Sequence, residues 1–302
     1  MDKGIKVDSP AKVNLFLEVK GKREDGYHEV ELVMQSIDLK DTLTITLEED
    51  QSEKVKIECN KEGIPTGEDN LVHKAVKAIM ANHNIPPIKV YLNKKIPAAA
   101  GLAGGSSNAA AALWGLNELL ELKIPQDRLS KIAQGIGADV PFCINGGTSL
   151  ATGLGEKLTV LPSIPLCYFL LVKPYFGIKT GEVYRSMNKG MYSQKGWENK
   201  LCSKQLIKAL EEKSLNKIAD NLYNSMQPIV NSWFPILKTI AQTISDGGAR
   251  GVLMSGSGPT IYGIFKHMEE AKSTKEWVEK SYGEVDCFVT VPRHKGVEVG
   301  KE

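Results

Sequence analysis

The stretch "PAAAGLAGGSSNAAAAL", from Pro97 to Leu113, places three glycines and two serines directly before a run of alanines. Glycine adopts backbone angles that a Cβ forbids, and it lets a ligand approach the main chain closely. A helix N-terminus carries unpaired N–H donors and a partial positive charge, which favour phosphate. The stretch therefore predicts an anion-binding loop and a helix capped by Ser106 or Ser107. A tight strand-to-helix connection without a ligand is the alternative.

Two common nucleotide-binding motifs are excluded for this loop. A Walker loop requires GxxxxGK followed by Ser or Thr, and no lysine follows these glycines. The dinucleotide fingerprint GxGxxG is completed neither by "GLAGG" nor by the later "GSGPTI". Any phosphate binding at this loop is therefore of a third kind.

The composition is that of a folded globular protein. Of the 302 residues, 42% are hydrophobic and 25% are charged, which allows one large or two medium domains. The 38 basic and 36 acidic residues are interspersed, so no basic stripe predicts nucleic-acid binding, and we expect small-molecule partners.

The expected location is the cytoplasm. The N-terminal segment lacks the apolar run of a signal peptide, and no apolar stretch reaches the roughly 18 residues of a membrane span. The cysteines show no CxxC spacing, which favours reduced thiols without a zinc site. They are Cys59, Cys143, Cys167, Cys202 and Cys287.

Hydropathy patterns predict a β-rich N-terminal part. "KVNLFLEVK" (12–20) alternates apolar and polar residues, which predicts a strand buried on one face, with Lys12 and Asn14 together on the other. "VELVMQSI", "DTLTITLEE" and "EKVKIEC" predict three further strands. Asp69 or Asn70 can cap a following amphipathic helix, and "IKVYL" predicts a strand that leads into the glycine loop.

The rest of the chain predicts helices with a small sheet. The helix after the loop is expected to reach about Leu122, a second to cover 129–134, and "GIGADVPF" to form a turn. A strand at 166–172, helices within 203–245, strands "RGVLMS" and "IYGIF", a helix at 268–282 and a strand "CFVTV" follow. The order favours an α+β fold over a doubly wound one. We place a domain boundary in the Pro-containing connection, giving domains 1–162 and 163–302.

Three separated segments resemble the three motifs of the GHMP kinases. They are "SPAKVNLFLEV" (9–19), "PAAAGLAGGSSNAAA" (97–111) and "MSGSGPTIYGIF" (254–265). "GKREDGYHE" and "GIGADVPF" are similar to the branch of this superfamily that acts on a cytidine diphosphate derivative of methylerythritol. The resemblance implies an N-terminal domain related to ribosomal protein S5 domain 2 and a ferredoxin-like C-terminal domain, with the active site between them.

The resemblance also implies the reaction, which is phosphoryl transfer from ATP to the 2-hydroxyl of the methylerythritol part, in the non-mevalonate isoprenoid pathway. Since no carboxylate cage is evident, Mg²⁺ would be held mainly by phosphates and water, and no metal ligands are assigned. A monomer or a homodimer is expected. The loop residues implied to bind ATP are Pro97, Ala98, Ala99, Ala100, Gly101, Leu102, Ala103, Gly104, Gly105, Ser106 and Ser107.

Two other functions remain open. The chain could be a sibling kinase of the homoserine or mevalonate type, or a nucleotide-binding regulator without catalysis. "DGYHE" favours the cytidine substrate over small acceptors that have no base. Retention of both Lys12 and Asp139 argues against the regulator.

Asp139 and Lys12 are the candidate catalytic residues. Asp139, in "GADVPF", would accept the proton of the acceptor hydroxyl, and the alternative is a helix cap before Val140. Lys12 would supply a fixed ammonium near that carboxylate, and the alternative is a solvated strand lysine. The resemblance favours the catalytic reading of both.

The resemblance places five further residues at the substrate. Asn14 would hold the acceptor end, and Tyr27 with His28 could stack on and hydrogen-bond the cytosine. A second ring would cover the other face of the base, and Tyr184 is predicted for this role, with Thr180 nearby. Tyr175 and Phe176 are alternatives for that ring. "SGSGPT" is expected to shape the floor of the site, and Asn70 either faces the nucleotide or only caps its helix.

Overall fold

The computed structural model describes residues 4–48, 53–187 and 203–300 of the chain. Cys202 lies outside the described residues, and the other four cysteines are free thiols. Helices and largely antiparallel sheets combine as the α+β expectation required. Within the described ranges, no helix has the length and apolarity needed to cross a bilayer.

The larger sheet is built around two long antiparallel strands. Its strands are β1 (Gly4–Lys22), β2 (His28–Leu47), β3 (Val55–Cys59), β4 (Ile88–Asn93), β5 (Thr148–Gly153), β6 (Lys157–Val160), β8 (Tyr223–Asn224) and β12 (Glu298–Val299). The described strands run in the order β12-β1-β2-β4-β3, while β5 pairs with β2 and β6, and β8 pairs in parallel with β1. The end of the chain thus returns to the sheet that begins it.

The smaller sheet lies in the second half of the chain. Its strands are β7 (Tyr168–Pro174), β9 (Gly251–Met254), β10 (Ile261–Phe265) and β11 (Val285–Thr290). They pair antiparallel in the order β11-β7-β10-β9. The predicted strands "LCYFLLV", "RGVLMS", "IYGIF" and "CFVTV" are confirmed within a few residues at each end.

The helices confirm most of the predicted ones. They are α1 (Leu71–Met80), α2 (Gly104–Leu119), α3 (Gln126–Gln134), α4 (Val140–Asn145), α5 (Thr180–Ser186), α6 (Ser203–Glu211), α7 (Leu215–Asp220), α8 (Gln227–Trp233), α9 (Ile236–Asp246) and α10 (Met268–Tyr282). Helix α4 begins inside "GIGADVPF", where only a turn was predicted. Asn70 caps α1, because its side chain accepts a hydrogen bond from the Val72 backbone N–H at 2.9 Å.

The predicted one-sided burial of β1 is wrong. Lys12 is 4% exposed and Asn14 2% exposed, so both faces of the strand are covered at this point. A bulge between Asn14 and Phe16 also reverses the alternation of side chains. Leu15 therefore packs into one hydrophobic cluster and Leu17 into the other. The two segments "VELVMQSI" and "DTLTITLEE" belong to one continuous strand, β2, rather than to two.

The start of α2 also differs from the prediction. The helix begins at Gly104, and its N-cap residue is Ala103, in the left-handed conformation with φ 56° and no side-chain cap. Ser106 and Ser107 are the third and fourth residues of the helix, so they lie inside its first turn and cannot be its N-cap. The helix ends at Leu119 instead of the predicted Leu122. Glu121, two residues after the helix end, takes a positive φ of 51°.

Candidate active site

The glycine loop folds back onto the third motif. Ala99, Gly101 and Ala103 all take positive φ angles, of 48°, 73° and 56°. A Cβ at Gly101 would lie 2.1 Å from the carbonyl oxygen of Ser255. Gly101 is therefore required by packing against residues 255–258. At Gly105, by contrast, the nearest atom to a Cβ would be Leu71 Cδ1 at 3.8 Å, which leaves the backbone open at the helix start.

A first cavity, of about 450 Å³, lies along this loop. Ten of the eleven loop residues assigned to ATP line it, from Pro97 to Ser106. Ser107 does not, since its side chain is fully buried behind the helix start. Other predicted residues that line the cavity are Lys12, Asn14, Asn70, Asp139, Thr180 and Tyr184. The structure thus gathers most of the predicted site in one place.

The Lys12 ammonium is held in a fixed position at the edge of the loop. Its Nζ donates to Asn14 Oδ1 at 2.6 Å and to the Gly101 carbonyl oxygen at 2.9 Å. Burial lowers the pKa of Lys12 from its usual 10.5, and the Asp139 carboxylate opposes that shift. Among the described residues its third N–H finds no acceptor, so it can interact with a ligand in the cavity.

Asp139 stands at the N-cap position of α4, but its side chain makes no capping hydrogen bond. It is half-buried and lines the same cavity as Lys12. Its carboxylate also opposes the burial-driven lowering of the Lys12 pKa. The carboxylate is therefore not engaged at the helix end and can accept a proton in the cavity.

Residues in the C-terminal half of the chain hold both Asn14 and Thr180 in place. The Asn14 backbone N–H donates to Ser255 Oγ at 3.3 Å, and its carbonyl oxygen accepts from the Tyr262 hydroxyl at 2.8 Å. Thr180 Oγ1 lies 2.8 Å from Ser257 Oγ, either being the donor. The segment "SGSGPT" therefore contacts the loop, the first strand and α5, as a floor for the site would.

A second cavity, of about 880 Å³, adjoins α5 and the turn before β2. Tyr27, His28 and Tyr184 line it. The His28 and Tyr184 rings stack with centroids 4.8 Å apart and planes 28° apart. Burial and the nearby Lys22 lower the pKa of His28, which keeps its imidazole neutral at pH 7. Burial raises the pKa of Tyr184 to about 12, so its hydroxyl remains a hydrogen-bond donor.

Of the three candidate rings for the second face of the base, the structure brings only Tyr184 to this cavity. Phe176 stacks on Phe234 instead, with centroids 4.4 Å apart. Tyr175 is 63% exposed and lines neither cavity.

Polar residues that were not predicted also line both cavities. Lys94 and Asn108 line the first cavity, and Lys22 and Arg185 line the second. Lys94 directly follows β4, and its partner Asp41 is 53 residues away, so no local pattern could have indicated the pair. Arg185 directly follows Tyr184, so a positive charge next to a predicted site aromatic is the sequence feature that could have identified it.

The described residues contain no cluster of three or more His, Cys, Asp or Glu side chains suited to a metal ion. The carboxylates that line the first cavity are Asp69 and Asp139. One or two carboxylates together with substrate phosphates are a common setting for Mg²⁺. The donor set therefore fits an ion that arrives with a nucleotide.

Known proteins match along nearly the whole chain. The GHMP kinases N terminal domain model matches residues 70–147, and the GHMP kinases C terminal model matches residues 206–283. A relative from Alkaliphilus metalliredigens (strain QYMF), 4-diphosphocytidyl-2-C-methyl-D-erythritol kinase, is 38% identical over 294 residues. That alignment covers 97% of this chain and 99% of the relative.

Solved structures share the fold. A crystal structure of 4-(cytidine 5'-diphospho)-2C-methyl-D-erythritol kinase has a TM-score of 0.78 at 29% identity, and the match covers 95% of this chain and 99% of that one. Homoserine kinase from Cytophaga hutchinsonii also reaches 0.78, but at 21% identity, over 99% of this chain and 98% of that one. The likeness to homoserine kinase, at this low identity, shows the fold alone.

These matches confirm the resemblance found in the three sequence motifs and the expected fold class. A family model matches one segment in each half of the chain, and the sequence identity separates branches that the fold does not. The chain belongs to the GHMP kinases, in the branch of the 4-diphosphocytidyl-2-C-methyl-D-erythritol kinases.

Proposed function

We propose that the chain transfers the γ-phosphoryl group of ATP to the 2-hydroxyl of 4-diphosphocytidyl-2-C-methyl-D-erythritol. The observation that carries this proposal is the position of Tyr184, which lines both cavities. One cavity has a glycine loop and a helix N-terminus, which suit a triphosphate. The other has aromatic rings and an imidazole, which suit a pyrimidine base. A substrate with a base at one end and a hydroxyl at the other would span the two.

ATP is the proposed ligand of the loop 97–107. The open backbone at Gly105 and the first N–H groups of α2 would receive the phosphates, and Asn70 would face the nucleotide while it caps α1. Mg²⁺ would neutralise phosphate charge, held mainly by phosphate oxygens and water. Ser107, buried behind the loop, would support the helix start and not contact the nucleotide.

Lys12 and Asp139 are proposed to act on the acceptor hydroxyl. Asp139 accepts its proton while the hydroxyl oxygen forms a bond to the γ-phosphorus. The bond between that phosphorus and the bridging oxygen breaks, and ADP leaves with the electron pair. The Lys12 ammonium, fixed by Asn14 and the Gly101 carbonyl, offsets negative charge on the transferring group.

The substrate roles follow the two cavities. Asn14 and Thr180, which are anchored by residues 255–257, hold the methylerythritol end next to Lys12. Tyr27 and Tyr184 contact the faces of the cytosine, and neutral His28 hydrogen-bonds it. The division into domains 1–162 and 163–302, the cytoplasmic location and the monomeric or homodimeric state remain predictions.

Purified protein supplied with ATP, Mg²⁺ and the cytidylylated methylerythritol tests the proposal, with the products followed by ³¹P NMR. A new phosphomonoester signal together with ADP is the expected result. Homoserine and mevalonate serve as rival acceptors under the same conditions. Turnover of either, without turnover of the cytidine substrate, would assign the chain to a sibling reaction. ATP binding without turnover of any acceptor would favour the regulator.

A further inference from the structure

A buried carboxylate connects both ends of the glycine loop. Asp41, on β2, is fully buried. Its Oδ1 accepts hydrogen bonds from the backbone N–H groups of Lys95 and Ile96, at 2.7 and 2.8 Å, directly before the loop. Its Oδ2 accepts from Lys94 Nζ at 2.5 Å and from Asn108 Nδ2 at 2.9 Å. Asn108 follows the loop, in the early part of α2.

The partners of Asp41 are also bonded to one another. Lys94 Nζ donates to Asn108 Oδ1 at 2.8 Å, and Asn108 Nδ2 donates to Ser9 Oγ at 2.7 Å. A Cβ at Gly104 would lie 3.3 Å from Lys94 Nζ, so the ammonium sits against the first residue of α2. The network therefore links β1, β2, the end of β4 and α2 beneath the loop.

Stability alone does not account for this network. Removing a carboxylate and an ammonium from water is costly, and well-packed apolar residues often serve a core equally well. A carboxylate with four donors has, however, a fixed orientation, and it fixes each donor in turn. Three of those donors belong to the loop's N-terminal flank and one to its C-terminal flank.

We infer that Asp41 is a positioning residue for the glycine loop. It lines neither cavity, whereas its partners Lys94 and Asn108 both line the first one. By holding both flanks, Asp41 sets the distance between the end of β4 and the start of α2, and so orders the loop's amides before ATP arrives. This preorganisation lowers the cost of ordering on binding. The inference rests on the proposed function only in taking ATP as the ligand.

Asp41→Asn is the first test. It retains the size of the side chain but removes the charge that faces Lys94. We expect the Kd of a non-hydrolysable ATP analogue, measured by calorimetry, to rise roughly 10-fold to 100-fold, the scale of a misplaced binding group. The Kd of cytidine diphosphate should stay within about 2-fold. A matched control is Asp8→Asn, because Asp8 pairs with Lys40 at 2.6 Å on the same sheet and lines neither cavity.

The double variant Asp41→Asn with Asn108→Asp tests rescue. It restores a carboxylate opposite Lys94 while it moves the charge from the sheet to the helix. ATP affinity should return towards the wild-type value. If Asp41→Asn does not fold, the double variant decides alone: ATP affinity near wild type supports the inference, and ATP affinity as weak as expected for the single variant overturns it.

A purely structural role predicts a different pattern. Asp41→Asn would then lower the unfolding temperature but leave the ATP Kd unchanged, or weaken both ligands equally, and either result overturns the inference. Because ATP affinity is measured without the acceptor, the outcome is independent of the turnover assay. If the wild-type protein does not phosphorylate the cytidine substrate but Asp41→Asn still weakens ATP binding, the proposed function is wrong and this inference is supported.

Discussion

The rings of Tyr184 and His28 stack at 4.8 Å and thereby join α5 to the start of β2. Both residues line the second cavity, and Tyr184 also lines the first cavity, along the glycine loop. Tyr27, next to His28, is 65% exposed and lines the second cavity. A cytosine bound as proposed would lie against Tyr184, which lines both cavities, and this ring would then set the distance between the base and Lys12.

Tyr184→Ala is therefore expected to weaken cytidine diphosphate binding by about 1–3 kcal/mol, the cost of losing one stacked ring. Tyr184→Phe should bind nearly as well as the wild type, because the ring face remains. Tyr175→Ala is the control, since Tyr175 is an exposed ring outside both cavities. Calorimetric titration checks all three. Equal Kd values for Tyr184→Ala and the wild type would exclude stacking.

Asp139→Asn should lower kcat by roughly 10²-fold to 10⁴-fold, the range for loss of a positioned general base. The amide has the same shape but cannot take the proton. ATP affinity should change little, because the loop backbone carries the proposed phosphate contacts. Asp127→Asn, in the exposed first turn of α3, is the matched control and should retain the wild-type rate. Steady-state kinetics with both substrates varied will separate the two effects.

Should Asp139→Asn turn over at the wild-type rate, the carboxylate is not the base. Loss of ATP binding at an unchanged kcat would instead move Asp139 to the nucleotide.

The local patterns predicted the elements that flank the site more reliably than the contacts inside it. The glycine loop, the capped helix at Leu71 and the strands of the smaller sheet follow from turn chemistry and periodicity, which are local. The bulge after Asn14 is not local in this sense, because it depends on the register with β2. The burial of Lys12 and Asn14 was missed because the segments that cover them, at Gly101 and at residues 255–262, are distant in the sequence.

The start of α2 and the Asp41 network were missed for a related reason. Ala103 takes a left-handed conformation with φ 56°, which alanine rarely adopts, in a loop that contacts Ser255 two residues earlier, at Gly101. Asp41 and Lys94 are 53 residues apart, so only the folded sheet brings them together. The sequence around Asp41 on β2 does not indicate that its carboxylate is buried or that Lys94 is its partner.

Gly101→Ala is expected to destabilise the fold by about 1–3 kcal/mol, the cost of strained backbone or overpacking. Its φ is 73°, and the added Cβ would meet the Ser255 carbonyl oxygen at 2.1 Å. Because the clashing atom is backbone, no rotamer change relieves it. Gly105→Ala is the matched control, since its Cβ meets nothing closer than 3.8 Å and alanine favours a helix by up to about 1 kcal/mol.

Chemical denaturation of both glycine variants measures the difference. A Gly101→Ala protein as stable as Gly105→Ala would mean that the loop does not pack on Ser255 in solution.

Alkaline pH is expected to lower the activity but to raise the contribution of Lys12 to stability. Burial lowers the Lys12 pKa below 10.5, so the ammonium is lost from the folded protein before the unfolded chain. As pH rises through that lowered pKa, kcat should fall, because the charge that faces the phosphoryl group disappears. Between the folded pKa and 10.5 the unfolded chain binds more protons, so the contribution of Lys12 to the free energy of unfolding should rise with pH.

Lys12→Arg separates this group from others that titrate at high pH. Guanidinium stays protonated throughout this range, so the alkaline fall in relative rate should disappear even if the maximal rate is lower. Tyr184, with a pKa of about 12, ionises too late to mimic the effect. The pH profiles of kcat for the two proteins are to be compared at saturating substrate. The same alkaline limb in both would show that Lys12 carries no charge required for transfer, because a guanidinium cannot reproduce the titration of an ammonium.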